Sequence, residues 1–461
     1  MLDAYMGNKI SVFSLVWLIV AAIDSIRNLP AMALFGSSLF FFFFLSAFLF
    51  LIPVALLSAE FASRYPEEGG VFHWVRHAFG EKAAFMAVWL QWINTVVWYP
   101  TILAFIAGTA AYLIHPSLAQ NKGFLIAVIL IAFWGLTFLN MYGIRISAKI
   151  NEFCGIMGTV VPMLFLIALG LLWGFSEEKI HISFAWHSMV PSLNHSENWV
   201  SLIAIMAAFL GMELSGVYVN DIKNPQKTFP RAMGIAVIIL LTTQLFGALS
   251  IATVIPESEI RLVDGIMQTF TYILDRFHLL ALRPWIVCLI IIGSLGGMIN
   301  WLLSPAKGLL QASRYDFLPR YFSVENRWQV PYRILIAQAI LMTGICVVIL
   351  ILPSINAFYW FLMALSTGLY MIMYMFIFAS GLKLGRAPKD SQVFQIPRGS
   401  RHIVCCLGLF GCAITIFVGF FPPSGVEVGS SLRYCLMIAG GNIALILPAW
   451  LLCQRKRLGR R

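Results

Sequence analysis

The sequence predicts an all-α polytopic membrane protein of about twelve transmembrane helices, and three observations predict it. Of the 461 residues 60% are apolar and only 11% charged, far from the ~45–50% and ~25% of soluble domains. The apolar residues fall into twelve runs long enough to cross the ~30 Å hydrocarbon layer of a bilayer. Two of those runs are interrupted by charge and helix-breaking residues, at corresponding places in the two halves of the chain.

In chain order the runs of the first half are α1 (10–33), α2 (39–61), α3 (83–114), α4 (124–141), α5 (153–174) and α6 (199–219). Those of the second half are α7 (232–254), α8 (266–305), α9 (334–352), α10 (358–382), α11 (403–421) and α12 (432–453). The third and eighth runs are long enough to tilt or to include a surface turn. The formal charge of +11 looks basic enough for nucleic acid, but its distribution argues otherwise. With the N-terminus inside, 24 of the 31 Lys and Arg lie in inner loops and termini, six in outer loops, and Arg27 within the membrane. That bias places both termini in the cytoplasm and assigns the positive charge to orientation and lipid headgroups. No nucleic-acid partner is expected.

The chain is organised around residues 20–36, at the end of α1, which hold Asp24, Arg27, Asn28 and Pro30. A charge near the bilayer centre costs at least ~2.5–3.5 kcal/mol, so such residues face a polar cavity or a partner. Pro30 removes a backbone donor and disfavours helical geometry at Leu29, which predicts a helix break there. Broken backbone at membrane depth is tolerated only where protein buries it or a water-filled cavity receives it. Charge and breakage together point to a substrate site.

The second break falls in α6, at Phe209-Leu-Gly-Met-Glu-Leu-Ser-Gly216, where two glycines flank the lone acid Glu213. Asp24 lies 14 residues past the inner end of α1 and Glu213 14 residues past the outer end of α6. At ~1.5 Å per residue both reach ~21 Å into the bilayer, from opposite sides. Two such segments predict inverted repeats with the site at their interface: residues 10–174 (α1–α5) and 199–382 (α6–α10), with 403–453 (α11–α12) appended.

Between α2 and α3, Pro66 and Gly69-Gly70 supply turn chemistry, and a short amphipathic helix follows on the inner face. His73 and His77 are spaced i, i+4, as in some metal sites, but no third ligand is nearby and a solvated face is the simpler reading. The eight cysteines include no CxxC and read as small buried hydrophobes. No cleavable signal is evident, because the first apolar run is too long and carries charges. Phe40 to Phe44 supply apolar bulk without chemistry.

The stretch Pro66-Glu-Glu-Gly-Gly-Val-Phe-His-Trp-Val75 resembles the first inner loop of the amino acid–polyamine–organocation (APC) superfamily. Ser25-Ile-Arg-Asn-Leu-Pro30, Gly211-Met-Glu-Leu-Ser-Gly-Val-Tyr-Val-Asn-Asp-Ile-Lys-Asn-Pro225, Ser250-Ile-Ala-Thr-Val-Ile-Pro256 and Gly265-Ile-Met-Gln-Thr-Phe270 resemble the bacterial glutamate/GABA antiporters within it. The resemblance runs nearly end to end, and the α6 stretch is its most specific part. It implies the five-plus-five inverted-repeat (LeuT-like) fold with α1 and α6 broken, and amino acid exchange across a bacterial inner membrane. Glu213 matches the family's substrate-pathway acid in α6, and Tyr370 and Tyr374 match a tyrosine pair lining the inner path. The chain departs from the pattern at Gly297, where an acid is expected in α8, and at Arg27, where a tyrosine can occur. It also ends at Arg461, short of the C-terminal plug that some members fold over the inner mouth.

The candidate substrate-binding residues are Asp24, Ser25, Arg27 and Asn28 of α1 and Gly211, Glu213 and Ser215 of α6. Glu213, Tyr370 and Tyr374 are candidates for the proton or substrate pathway. Arg27 suits bidentate binding of a carboxylate, exposed amides of a broken helix suit the α-carboxylate, and Asp24 suits an amino group or a proton. The competing reading pairs Asp24 with Arg27 at i, i+3, merely pinning the bend. Glu213 has no partner within its own segment, which suits proton carriage, with a helix-break brace as the competing role. For Tyr370 and Tyr374 the competing role is packing. His115, His181, His187, His195 and His278 lie on the outer side as acid sensors or, more simply, solvated loop residues.

No nucleotide motif, metal cluster or nucleophile constellation supports an enzyme, and no cofactor is implied. The partners are small amino acid substrates and the bilayer, with proton coupling possible and the oligomeric state open. The reading is an antiporter working by alternating access. The alternatives are a proton-coupled uptake symporter and a transporter-derived sensor, which a long soluble signalling tail would favour. The charge bias makes one expectation directly testable. A reporter fused after Arg461 is expected to be active only in its cytoplasmic form, and periplasmic activity would overturn the helix count.

Overall fold

Inside a bilayer each backbone N–H and C=O needs a partner from the protein, which leaves helices as the economical solution for a chain of this pattern. The computed structural model describes residues 11–65, 70–142, 153, 155–176, 178–190, 199–214, 222, 224–385, 394–423 and 426–458, and among them there is no strand. Eleven helices of the described residues are long and apolar enough to cross a membrane. They are α1 (Val12–Ala33), α2 (Gly36–Arg64), α3 (Glu81–Ile114), α4 (Lys122–Met141), α5 (Ile156–Gly174), α7 (Gln226–Val254), α8 (Leu280–Ser313), α9 (Tyr332–Ile351), α10 (Ile355–Lys383), α11 (Gly399–Val418) and α12 (Ser431–Arg455). The described part of α6, Ser201–Leu214, is the shorter apolar helix that completes the twelve expected.

The two long runs resolve differently. The third is a single 34-residue helix. The eighth divides into a helix Gly265–Arg276 and the spanning helix Arg283–Ser313, so the surface turn expected for either is found in the second alone. Helix starts follow local chemistry: Asn121 Oδ1 accepts from the Phe124 amide at 3.0 Å, and Ser354 Oγ from the Ala357 amide at 3.0 Å. In α2 and α5 a π-helical turn, Ala47–Leu51 and Ile156–Val160, runs into Pro53 and Pro162, which lack the N–H that a regular turn would use.

The helices α3 and α10 form the buried centre of the bundle, whereas α12 lies at its edge with Leu432, Leu436 and Ile443 exposed. Of the five phenylalanines in series, Phe42 and Phe43 are core and Phe44 faces outward. Helices α5 and α8 touch backbone to backbone. A Cβ built on Gly158 would sit 2.1 Å from the Gly293 Cα, so no larger residue fits at that crossing. The helix Val71–Phe79 turns Val71, Phe72, Trp74, Val75 and Ala78 inward, as its amphipathic pattern requires, and stacks His77 on Tyr65 with centroids 4.7 Å apart.

Two polar ties went unread in the sequence. Glu60 of α2, fully buried, is 3.0 Å from Arg401 of α11 and also accepts from the Ile396 amide at 3.2 Å. Arg401 Nε donates to the Gly381 carbonyl of α10 at 2.8 Å. Removing one member of such a buried pair costs about 3–5 kcal/mol, because the other is left charged and alone. At the opposite end, Asp264 accepts from Tyr112 Oη and Gln120 Nε2, each at 2.9 Å, and meets Arg261 at 3.4 Å. Burial pushes the Asp264 carboxyl up from its ordinary value and Arg261 opposes the shift. This knot fixes the start of helix Gly265–Arg276 against α1, where a Cβ on Gly265 would meet Pro30 at 3.0 Å.

Candidate functional site between the broken helices

The first half of α1, Val12–Ile23, ends where Asp24 and Ser25 both turn extended, with ψ of 122° and 114°. A single 3-10 turn, Ile26–Asn28, follows, and the helix resumes at Leu29–Ala33. The break therefore precedes Pro30 rather than being caused by it. Pro30 occupies the first turn of the second half, where its fixed φ suits the helix and its missing N–H costs nothing. Asp24 and Ser25 compete with the helix for hydrogen bonds, and the partners that hold them extended come from other helices.

Those partners are specific. Thr243 of α7 donates to Asp24 Oδ2 at 2.9 Å, and the neighbouring Gln244 amide donates to Oδ1. The carbonyls freed by the break accept from Trp301 Nε1 (Ala22, 3.3 Å), Gln244 Nε2 (Ser25, 3.5 Å) and Tyr359 Oη (Arg27, 3.1 Å). Arg27 turns away from Asp24. Its guanidinium lies 4.5 Å from the Trp98 ring centroid, Nη1 donates to Thr101 at 3.3 Å, and Nε has no partner. The i, i+3 ion pair of the competing reading does not form, because Asp24 and Ser25 are extended where a helical turn would have stacked Asp24 on Arg27. Among the described residues no carboxylate pairs with Arg27.

The break in α6 comes at Phe209 and Gly211, after helix Ser201–Ala208. Gly211 has φ +111°, a conformation costly for any side chain, and its amide donates to Tyr374 Oη at 2.9 Å. Glu213, 1% exposed, is anything but partnerless. Tyr370 donates to one carboxylate oxygen and Tyr374 to the other, and Gln91 Nε2 donates to the first at 3.1 Å. Three neutral donors from α3 and α10 thus surround one acid. The tyrosine pair does more than pack, although both rings are fully buried rather than lining an open path.

A cavity of about 70 Å³ lies at the α1 break, several times the ~10–15 Å³ that one water needs. Asp24, Ser25, Arg27 and Asn28 line it on one side. Trp98, Gly297 and Tyr370 are among those facing them. Four of the expected binding residues therefore meet in one space. Glu213 and Gly211 stand outside it, Glu213 reaching the cavity only through Tyr370, and Ser215 lies outside the described residues, as does His195. Gln91, Thr243 and Gln244 were missed by sequence reasoning, and their only signal was a polar residue inside an apolar run. Among the described residues no group of three His, Cys, Asp or Glu is placed to hold a metal.

Comparison with known proteins adds to this geometry. A family profile described as amino acid permease matches residues 10–441. An uncharacterized transporter of Legionella pneumophila is 36% identical over 449 residues, covering 97% of each chain. A glutamate/gamma-aminobutyrate antiporter of Lactococcus lactis is 28% identical over 450 residues, 95% of this chain and 89% of the relative. A probable agmatine/putrescine antiporter of Lactococcus lactis is 24% identical over 460 residues, 97% and 95% of the two chains.

Two of the glycines at the site, Gly211 and Gly297, lead to opposite expectations. Gly211→Ala is expected to cost about 1–3 kcal/mol, the scale of a residue forced into a sparsely populated backbone region. Gly297→Ala is expected to change stability by less than about 1 kcal/mol, since its added Cβ meets nothing within 4 Å. Thermal unfolding of the purified protein in detergent separates them. Equal losses would show that the α6 break is not held in a conformation reserved for glycine.

Proposed function

Since the chain belongs to the amino acid permease family, a family of membrane transporters of small molecules, we propose that it is an amino acid antiporter of the glutamate/GABA type working by alternating access. It would sit in a bacterial inner membrane with both termini in the cytoplasm. The observation that carries this reading is the position of Arg27, a buried cation in the cavity wall with an aromatic face beneath it and no acid beside it. A guanidinium with unused donors is matched by a carboxylate, which it binds through parallel hydrogen bonds.

The relatives support exchange, since two distinct kinds are named antiporters. They diverge in the sign of the cargo, and Arg27 favours the acidic one: agmatine or putrescine would bring positive charge toward it. In this reading the substrate touches Asp24, Ser25, Arg27 and Asn28, and inverted repeats 10–174 and 199–382 rock about it. Glu213 acts through Tyr370, which spans from carboxylate to cavity, so a change in its charge is felt at the substrate without direct contact. Counterflow into preloaded proteoliposomes, run with the common amino acids and their decarboxylation products, tests the proposal. Exchange of glutamate for 4-aminobutyrate is expected, and uptake without a counter-substrate would favour a symporter.

Arg27→Ala is expected to weaken acidic substrates about 10- to 100-fold, as loss of a charged hydrogen bond does, and neutral ones by less than about threefold. An equal loss for all substrates, or a fall in stability alone, would make Arg27 structural. Glu213→Gln keeps the size and hydrogen bonding of the protonated form of the carboxyl while removing its titration. It is expected to leave a folded protein that binds substrate, with slower exchange and a flattened dependence on pH on the acidic side of neutrality. An unchanged profile in counterflow assays would leave Glu213 as a brace for the bend.

A further inference from the structure

Asp24 is the one acidic side chain in the cavity wall among the described residues. It is 3% exposed, and the side chains that meet it, Thr243 and Gln244, are neutral. Arg27, the nearest cation in sequence, is turned away from it toward Trp98 and Thr101. A carboxylate withdrawn from water is costly unless a countercharge joins it, and neutral donors replace that charge only in part.

Gln244 sharpens the point. It is fully buried and commits its amide nitrogen to Asp24 Oδ1 and to the Ser25 carbonyl, while its own Oε1 is left without a partner. A buried acceptor left unmatched is a standing cost. The amide is thus oriented by the break in α1, and α7 serves to hold the Asp24 carboxylate at the cavity as an acceptor on both oxygens. The group that fits is positively charged and rich in N–H donors.

Resting on the transporter reading above, we propose that Asp24 is the ammonium subsite of the substrate, with Thr243 and Gln244 as its positioning residues. Asp24 and Arg27 then read the two ends of a zwitterion from one short stretch of α1. The substrate class is an amino acid that presents an ammonium and a carboxylate together. A dicarboxylic acid lacking nitrogen meets Asp24 with like charge, and a diamine meets Arg27 the same way, so both are excluded. Selection against the wrong ligand here comes from repulsion as much as from attraction.

The test uses the full chain in proteoliposomes and competition against counterflow of labelled L-glutamate and 4-aminobutyrate. The competitors are the same two compounds and their nitrogen-free analogues, glutarate and butyrate. The wild type is expected to favour the amino compounds about 10- to 100-fold. Asp24→Asn is expected to shrink that preference below about threefold, Asp24→Glu to retain most of it, and Gln244→Met to lower it part way. Should Asp24→Asn fail to fold, the Asp24→Glu and Gln244→Met arms decide, and an unchanged preference in Gln244→Met overturns the proposal. So does an Asp24→Asn protein that discriminates like the wild type, or a wild type that exchanges glutarate as readily as glutamate. In all three cases the transporter reading survives. Exchange that stops when Na⁺ is replaced by N-methylglucamine, but is Na⁺-independent in Asp24→Asn, would assign Asp24 to a metal ion instead. If the wild type moves neither probe, the glutamate/GABA reading falls and the ammonium subsite with it.

Discussion

Everything in this molecule depends on the cost of opening a helix inside the hydrocarbon layer. Breaking α1 at Asp24 and Ser25 releases backbone carbonyls and exposes two charges where water is scarce, and each must find a partner in protein. The bundle meets that demand from three directions. Gln244 of α7, Trp301 of α8 and Tyr359 of α10 each donate to a carbonyl of the broken segment, and Thr243 and Gln244 hold the acid. The position of α7, α8 and α10 around α1 is thus tied to where α1 stops being a helix. Among the lining residues left with spare capacity are Asp24 and Arg27, of opposite charge, and spare capacity is what a ligand uses.

The second break is solved by a different chemistry. Glu213 is surrounded by hydroxyl and amide donors, which satisfy a carboxylate without neutralising it. Tyr374 joins the acid to the Gly211 amide, so the bend in α6 and Glu213 share one hydroxyl. Tyr370 couples it to the cavity. The result is a short path of direct contacts between an intramembrane acid and the cavity.

Much of this was legible from the sequence because hydropathy and charge act along the chain. Run length set the helices, and Asp24, Arg27 and Glu213 stood out as charges inside apolar runs. The site's other half was not legible, since it is made between helices far apart in sequence. Thr243 and Gln244 read as ordinary polar residues in α7, Gln91 as one in α3, and Glu60 and Arg401 gave no hint that they meet. Spacing also misled once: i, i+3 suggested an Asp24–Arg27 pair, but that spacing brings side chains together only on intact helix, and this is where the helix is absent. Pro30 misled in the same way, marking a restart of the helix rather than its end.

The central claim is that the space between the two breaks is where the transported molecule binds. Ala207 lines that space from α6 and has no part in holding charge. In a protein whose native cysteines are replaced, a cysteine at position 207 can be labelled with a small thiol reagent, with and without saturating amino acid substrate. The account predicts that labelling proceeds in the empty protein and slows severalfold when substrate is present. Labelling at the same rate in both conditions, in a protein that still exchanges amino acids, would place the transport site elsewhere.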